Sequence, residues 1–262
     1  MNLGLENKVA LITGASAGLG FATAQVLHEE GATIAICSSN KDNIESAALR
    51  INPDSDRVTP FVCDLTQAGE IEKLTDKTIN KLGRIDVLVT NCGGPPTGTH
   101  ETLTENDWLL GYNKTFMSTV RLINAVLPGM KERKHGRVIL ITSFAAKQPV
   151  PNLMLSNSYR SGLLGFAKTI SQELGPFGVT INTVLPGFTK TERLNHLADA
   201  NAAASGQTVD EIYSGWLESV PVGRLGRPEE LGALIAFLAS DKAGYITGTS
   251  TAIDGGRLES IF

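Results

Sequence analysis

Short β-branched and aliphatic runs alternate with longer amphipathic stretches along almost the whole chain. Residues 8–13 read as a strand, and 18–30 as a helix closed by Gly31. Residues 32–37 form a second strand before a helix over 41–51, and 58–63 a third before a helix over 67–82, closed by Gly83. The fourth strand is 86–90. A Gly-Gly-Pro-Pro-Thr-Gly turn cluster at 93–98 leads into a long helix over about 107–131. Residues 137–142 are the fifth strand, 153–174 a helix, 179–184 the sixth strand, and 250–253 a short last one. Strands separated by helical patterns form βαβ units. Right-handed crossovers then give an α/β, doubly wound parallel sheet of about seven strands with helices on both faces.

Residues 188–222 break this rhythm with a polar, Ala-rich stretch that reads as two short helices. It follows the carboxyl end of a strand, where ligands bind in open α/β sheets. The expectation is a lid over a substrate pocket, with a passive surface insertion as the alternative. Tyr213 and Trp216, three residues apart, either face a substrate or anchor this lid to the body.

Composition narrows the classes. The chain has 262 residues, 42% of them hydrophobic, enough for one well-filled core, and no linker or repeat divides it. A net charge of −4 without blocks of like charge gives no reason to expect nucleic acid or a membrane surface as partner. The N-terminus does not read as a signal peptide, and no apolar run approaches the ~18 residues that span a bilayer. A cytoplasmic protein is expected. Cys37, Cys63 and Cys92 are sparse and lack a Cys-x-x-Cys pair, which argues against a disulfide framework and a metal site. All three fall near carboxyl ends of predicted strands, where they could be close in space, and each reads first as a small apolar residue near the sheet.

The chemistry starts at Thr13-Gly14-Ala15-Ser16-Ala17-Gly18-Leu19-Gly20, between the first strand and the first helix. Glycines allow a tight turn and close approach to a pyrophosphate, and a helix N-terminus offers free N–H groups. A Gly-rich turn in this context predicts a nicotinamide dinucleotide site at Gly14, Ser16, Ala17, Gly18, Leu19 and Gly20.

The Gly-x-x-x-Gly-x-Gly spacing resembles that of the short-chain dehydrogenase/reductase family, which has a single-domain Rossmann fold. The resemblance covers essentially the whole chain. Asp64, in Cys63-Asp64-Leu65-Thr66, resembles the family's adenine-contacting aspartate, with Leu65 beside it. Thr90-Asn91-Cys92-Gly93 resembles its Asn-Asn-Ala-Gly segment, which places Asn91 and Gly93 at the cofactor. Pro186-Gly187-Phe188-Thr189-Lys190-Thr191 resembles its Pro-Gly loop, which implies that Pro186, Gly187, Thr189 and Thr191 surround the nicotinamide. Gly226-Arg227-Pro228-Glu229-Glu230, Ile246-Thr247-Gly248 and Asp254-Gly255-Gly256 resemble its later signatures.

An acidic residue at the end of the second strand would repel a 2′-phosphate. Here the chain reads Ser38-Ser39-Asn40-Lys41. Two hydroxyl donors and a lysine without a carboxylate favour NADP(H) over NAD(H), unless Lys41 is simply a solvated helix-start residue.

The family's acid–base residues are Asn, Ser, Tyr and Lys, the last two as Tyr-x-x-x-Lys. No such pair occurs in this chain. Ser143 matches the serine. The tyrosine position falls on Ser156, the lysine position on Arg160 and the asparagine position on Thr115. This combination resembles a divergent branch of the family, similar to 3-oxoacyl-acyl-carrier-protein reductases but without their tetrad. A serine hydroxyl is a poor proton donor near neutral pH, and an arginine stays protonated. Arg160 can still bind ribose hydroxyls and stabilise a developing alkoxide. Tyr159 is a candidate donor, with packing against a neighbouring helix or subunit as its alternative. Lys114, Lys147 and His100 read first as solvated residues.

The expected function is NAD(P)(H)-dependent oxidation or reduction of a small carbonyl or alcohol, with Ser143, Ser156 and Arg160 at the oxygen. The rivals are a cofactor-binding pseudoenzyme, a sensor or scaffold, and a different reaction at the same cofactor. The resemblance also implies a homo-oligomer, a tetramer or dimer, built on the two long helices at 107–131 and 153–174.

Overall fold

All five residues of strand β1 (Val9–Thr13) are buried, because helices cover the sheet on both faces. The computed structural model describes residues 1–53 and 56–261. Among them, β1, β2 (Thr33–Ser38), β3 (Val58–Val62), β4 (Val87–Thr90), β5 (Gly136–Ile141), β6 (Val179–Pro186) and β7 (Ser250–Ile253) form one seven-stranded sheet. The order is β3-β2-β1-β4-β5-β6-β7, and every pairing is parallel. This is a single-domain Rossmann-like fold.

Alternate strand residues feed two cores. Ala10, Ile12, Ile34 and Ile36 pack against Leu27 of α1 (Gly18–Glu29) and Ile44 of α2 (Lys41–Ile51). Leu11, Ala35, Leu88 and Leu140 point the other way. They meet Ile71 of α3 (Ala68–Leu82), with Leu122 and Leu163 beyond.

The long helix expected at 107–131 is divided. A Thr104–Asp107 capping box starts α4 (Glu105–Gly111), two residues before the expected start. A π-helical turn, Tyr112–Met117, then separates it from α5 (Ser118–Glu132). Such turns insert one residue into the hydrogen-bond ladder and often mark functional positions. Helix α6 (Met154–Leu174) lies beside α5 on the second face.

Residues 188–222 do contain two helices, α7 (Glu192–Ser205) and α8 (Val209–Glu218). Hydrophobic patterning did not single out α9 (Pro228–Ala239), which packs on α1 in the first core. A Cβ on Gly232 would lie 2.8 Å from Val26 Cγ2 and 3.1 Å from the Ala22 carbonyl, so glycine permits this close helix pair. Among the described residues, no helix is long and apolar enough to cross a membrane.

Candidate active site

Strands β1 and β4 are neighbours, but the chain leaves them towards opposite ends of the sheet, and a crevice opens at their carboxyl ends. Thr13 and Asn91 tie the two ends together. The Asn91 N–H donates to Thr13 Oγ1 at 2.9 Å, and Thr13 Oγ1 donates to the Asn91 carbonyl at 2.8 Å. The Asn91 amide also donates to the Gly14 carbonyl at 3.0 Å.

This contact shapes the glycine turn. Gly14 has φ +57, and a Cβ there would lie 2.7 Å from the Asn91 carbonyl oxygen. Gly20 lies under the turn, where a Cβ would collide with the Gly14 carbonyl. Unlike the other predicted turn residues, Gly20 does not line the cleft and acts by packing. Helix α1 starts at Ala17 without a side-chain cap or an acid in its first turn. Helix α2, by contrast, is capped by Asn40 Oδ1, which accepts from the Asn43 N–H at 2.9 Å. The first N–H groups of α1 therefore face the cleft free for an anion.

The cleft encloses about 1230 Å³ and runs from this turn to α7 and α8. Its first end contains Ser38, Ser39, Asp64 and Leu65. Asp64 Oδ1 accepts from both the N–H and the hydroxyl of Thr66 at 2.9 Å, which orients the carboxylate. Lys41 is outside the lining, exposed, and 3.9 Å from Glu45 on the next turn. It is the solvated alternative that the structure favours, and its charge does not line the site. Cys37 and Cys63 lie side by side, and their mutual thiol hydrogen bond pushes the Cys37 thiol well up from its usual range. Cys92 instead lies near Arg160, so two of the three cysteines are together.

Gly93, Pro186, Gly187, Thr189 and Thr191 line the opposite wall. Gly187 passes so close to Asp254 that a Cβ would lie 2.6 Å from its Cα. Thr191 caps α7, accepting from the Leu194 N–H at 3.3 Å. The loop is held from outside by backbone bonds from Gly226 to Phe188 and from Lys190 to Gly226, both 2.9 Å.

Ser143, Ser156 and Arg160 meet at the cleft floor. Ser143 follows β5, and its Oγ accepts from the Ala145 N–H at 3.1 Å. Ser156 and Arg160 are one turn apart on α6, as their spacing predicts. Arg160 is 9% exposed. Its Nε donates to Ser156 Oγ at 3.1 Å, and Nη1 donates to the Thr142 and Ile141 carbonyls at 2.6 and 3.3 Å. Burial, and then the charge of Arg193, hold its pKa below the ordinary arginine value against the opposing influence of Cys92. Asn157 fastens the connecting loop, donating to the Val150 carbonyl at 2.9 Å and accepting from the Val150 N–H at 3.3 Å.

Tyr159, expected as a candidate proton donor, is not part of this floor. Its hydroxyl donates to the Trp108 carbonyl at 2.9 Å, and its ring packs edge-on against Trp108. Burial and then the neighbouring Tyr112 raise its pKa. Residue 159 faces α4 because it is almost a full turn from Ser156 but offset around the helix. The packing alternative is the one observed.

Thr115, at the asparagine position, is buried in the π-helical turn, and its Oγ1 has no hydrogen-bond partner among the described residues. Lys114 beside it lines the cleft, contrary to the solvated reading. Lys147 does not line it, and its Nζ donates to the Ser250 carbonyl at 3.4 Å. His100 is exposed outside it. The two aromatics of α8 divide the expected roles. Tyr213 anchors α8 to α7 by donating to Asn195 Oδ1 at 2.7 Å. Trp216 lines the cleft while stacking on Phe188 at 4.7 Å. Arg193 and Arg257 also line it, and sequence reasoning had missed both. Their signal was slight: each stands two residues or fewer beyond a recognised loop motif.

These features define a Rossmann-like fold with one large cleft running from the glycine turn past Ser143, Ser156 and Arg160. The family described as Enoyl-(Acyl carrier protein) reductase matches residues 14–257. The 3-oxoacyl-(acyl-carrier-protein) reductase FabG of Thermotoga maritima is 32% identical over 252 residues, 96% of this chain and 98% of its own. Among solved structures, YwfH, an NADPH-dependent reductase involved in bacilysin biosynthesis, superposes with TM-score 0.91 at 30% identity, covering 97% of this chain and 99% of its own. L-Sorbose reductase from Gluconobacter frateurii, complexed with NADPH and L-sorbose, gives TM-score 0.94 at 28% identity over 100% of both chains. The chain belongs to the short-chain dehydrogenase/reductase family of NAD(P)-dependent oxidoreductases.

Proposed function

We propose that this protein interconverts a small carbonyl compound and its alcohol with NADP(H) in preference to NAD(H), in an active site of atypical composition. The observation that carries this reading is the convergence of Ser143, Ser156 and buried Arg160 in the cleft that contains the glycine turn. The chain fits the cofactor: Gly14 and Gly18, both at positive φ, line the cleft in a tight turn packed over Gly20, and α1 presents uncapped N–H groups. When bound, the dinucleotide supplies or accepts a hydride. Ser16, Ala17, Gly18 and Leu19 face its phosphates, Asp64 and Leu65 its adenosine, and Asn91, Gly93, Pro186, Gly187, Thr189 and Thr191 its nicotinamide half. Ser38 and Ser39 can donate to a 2′-phosphate, and residues 38–41 at the end of β2 hold no carboxylate to repel it. The NADPH of the two solved reductases supports this preference.

Ser143 and Ser156 bind the substrate oxygen. Arg160 orients Ser156 and favours negative charge on that oxygen. The proton is drawn from bulk solvent and relayed by water held between the serine hydroxyls, which is reprotonated from solvent, since Tyr159 is turned away and serine and arginine are too weak to be the final acid near neutral pH. Residues 188–222 act as the lid, with Trp216 on its inner side. The reading also includes a cytoplasmic location and a homo-oligomer assembled through α5 and α6.

The poor acid at the tyrosine position, Ser156, favours one rival, a cofactor-binding pseudoenzyme. Fluorescence titration with NADPH and NADH, followed by a screen of carbonyls and alcohols for cofactor turnover, separates the two. Binding without turnover selects the pseudoenzyme, and failure of both dinucleotides to bind sinks both readings. Recovery of turnover only in Ser156→Tyr/Arg160→Lys also selects the pseudoenzyme.

A further inference from the structure

We infer that the substrate carries an anionic group, a carboxylate or a phosphate monoester, held by Lys114 and Arg193. This rests on the reading of the cleft as a carbonyl/alcohol site and adds a substrate class to it.

Lys114 comes from the π-helical turn and Arg193 from the start of α7, so body and lid each contribute one cation. Both reach the same dipeptide. A Cβ on Gly93 would lie 3.3 Å from Cε and Nζ of Lys114. A Cβ on Gly94 would lie 2.6 Å from Cζ of Arg193. Consecutive Cα atoms are about 3.8 Å apart, so the ammonium and guanidinium groups flank one short stretch of backbone. Glycine at both positions leaves room for them.

Neither cation is neutralised. Among the described residues, Lys114 and Arg193 have no ion pair and no side-chain hydrogen bond. Arg84 and Arg133 instead share Asp86, Arg137 pairs with Asp241, and Arg224 and Arg227 pair with Glu230. Arg160 lies near enough for the charge of Arg193 to oppose its own. Arg257 adds a further guanidinium, stacked on Phe144 and Phe188 at 4.4 and 4.7 Å, with its buried Nε unpartnered among the described residues. Two carboxylates line the cleft, Glu192 beside Arg193 and Asp64. Asp64 belongs to the adenosine end and is tied to Thr66. Four cations, Lys114, Arg160, Arg193 and Arg257, against two carboxylates give the cleft an excess of positive charge, which attracts an anion over a neutral ligand. The cofactor phosphates have their own cradle at the glycine turn, which leaves Lys114 and Arg193 for the substrate.

Calorimetry on the full chain, alone and saturated with oxidised dinucleotide, tests the inference. The ligands are acetoacetate against neutral methyl acetoacetate, and dihydroxyacetone phosphate against dihydroxyacetone. At least one anion is expected to bind at least about tenfold more tightly than its neutral partner, and the two pairs distinguish carboxylate from phosphate. Lys114→Met and Arg193→Gln should each weaken that anion about tenfold or more, the effect of losing a charge-assisted contact, with dinucleotide affinity unchanged. Lys147→Met, outside the cleft, should change nothing. The inference is overturned by equal binding of anion and neutral partner, by no binding of either anion, or by variants that bind the anion like wild type. It is also overturned if dinucleotide affinity falls in parallel, since the cations would then serve the cofactor. Anion binding without turnover of any carbonyl would instead sink the oxidoreductase reading alone.

Discussion

Arg160 donates from Nε to Ser156 Oγ at 3.1 Å across one turn of α6, while its Nη1 is committed to the carbonyls at the end of β5. One buried guanidinium thereby holds both the strand end beside Ser143 and the serine opposite it. Arg160→Met should leave two buried carbonyls unsatisfied and lower stability by about 2–4 kcal/mol in a denaturant titration. Ser156→Ala removes an acceptor without a cavity of consequence. It should lower turnover by roughly tenfold or more while shifting stability by less than about 1 kcal/mol. Equal turnover in Ser156→Ala and wild type would remove Ser156 from the reaction.

Tyr159→Phe deletes the hydroxyl that the Trp108 carbonyl accepts from. A loss of about 1 kcal/mol in stability is expected, with turnover and its pH profile unchanged. A pH profile that loses its basic limb in this variant would restore Tyr159 as the donor.

Gly20→Ala places a methyl group against the Gly14 carbonyl. The turn must then open, and affinity for NADPH should fall by at least about tenfold, with smaller loss of fold stability. Unchanged affinity would show that the Gly14–Gly20 contact does not shape the site.

Ser39→Asp introduces a carboxylate where a 2′-phosphate is proposed to lie. NADPH affinity should drop by about tenfold or more, and NADH affinity should hold or rise. Competition between the two dinucleotides measures this directly, and loss of both in parallel would place Ser39 elsewhere in the complex.

Glu230 clamps the segment whose Gly226 is hydrogen-bonded to the loop at 186–191. It accepts from Arg224 at 2.7 and 2.9 Å and from the Arg227 N–H at 2.7 Å. Its Arg224 partner, and then the Arg227 N–H, lower its pKa from 4.5 to about 2. A depressed folded-state value means that the stabilisation is complete above pH 4.5 and is lost as pH falls towards 2. Glu230→Gln should flatten the acid limb of thermal stability between these values. Because the group is near solvent, added salt should diminish the wild-type effect as well.

The periodic pattern alone determined the parallel sheet, its strand sequence and the glycine turn, because strand burial, helix amphipathicity and turn chemistry are local properties. The family resemblance, not the period, pointed to Ser143, Ser156 and Arg160, and the i, i+4 spacing of the last two sets them on one face of α6. Tertiary structure decided where the remaining side chains point. Tyr159 turned to Trp108, the packing alternative, and Lys114 turned into the cleft, although sequence read it first as a solvated residue. A capping box and a π-helical turn set the direction of Lys114, and no hydrophobic period encodes that turn. Cys37 and Cys63 met while Cys92 stood apart, as the positions of β2, β3 and β4 in the sheet require. Arg193 and Arg257 reached the cleft only through the packing of α7 and the chain after β7 around Phe188. Such contacts between residues distant in sequence depend on the whole fold, and they decide what the dinucleotide cleft can hold beside its cofactor.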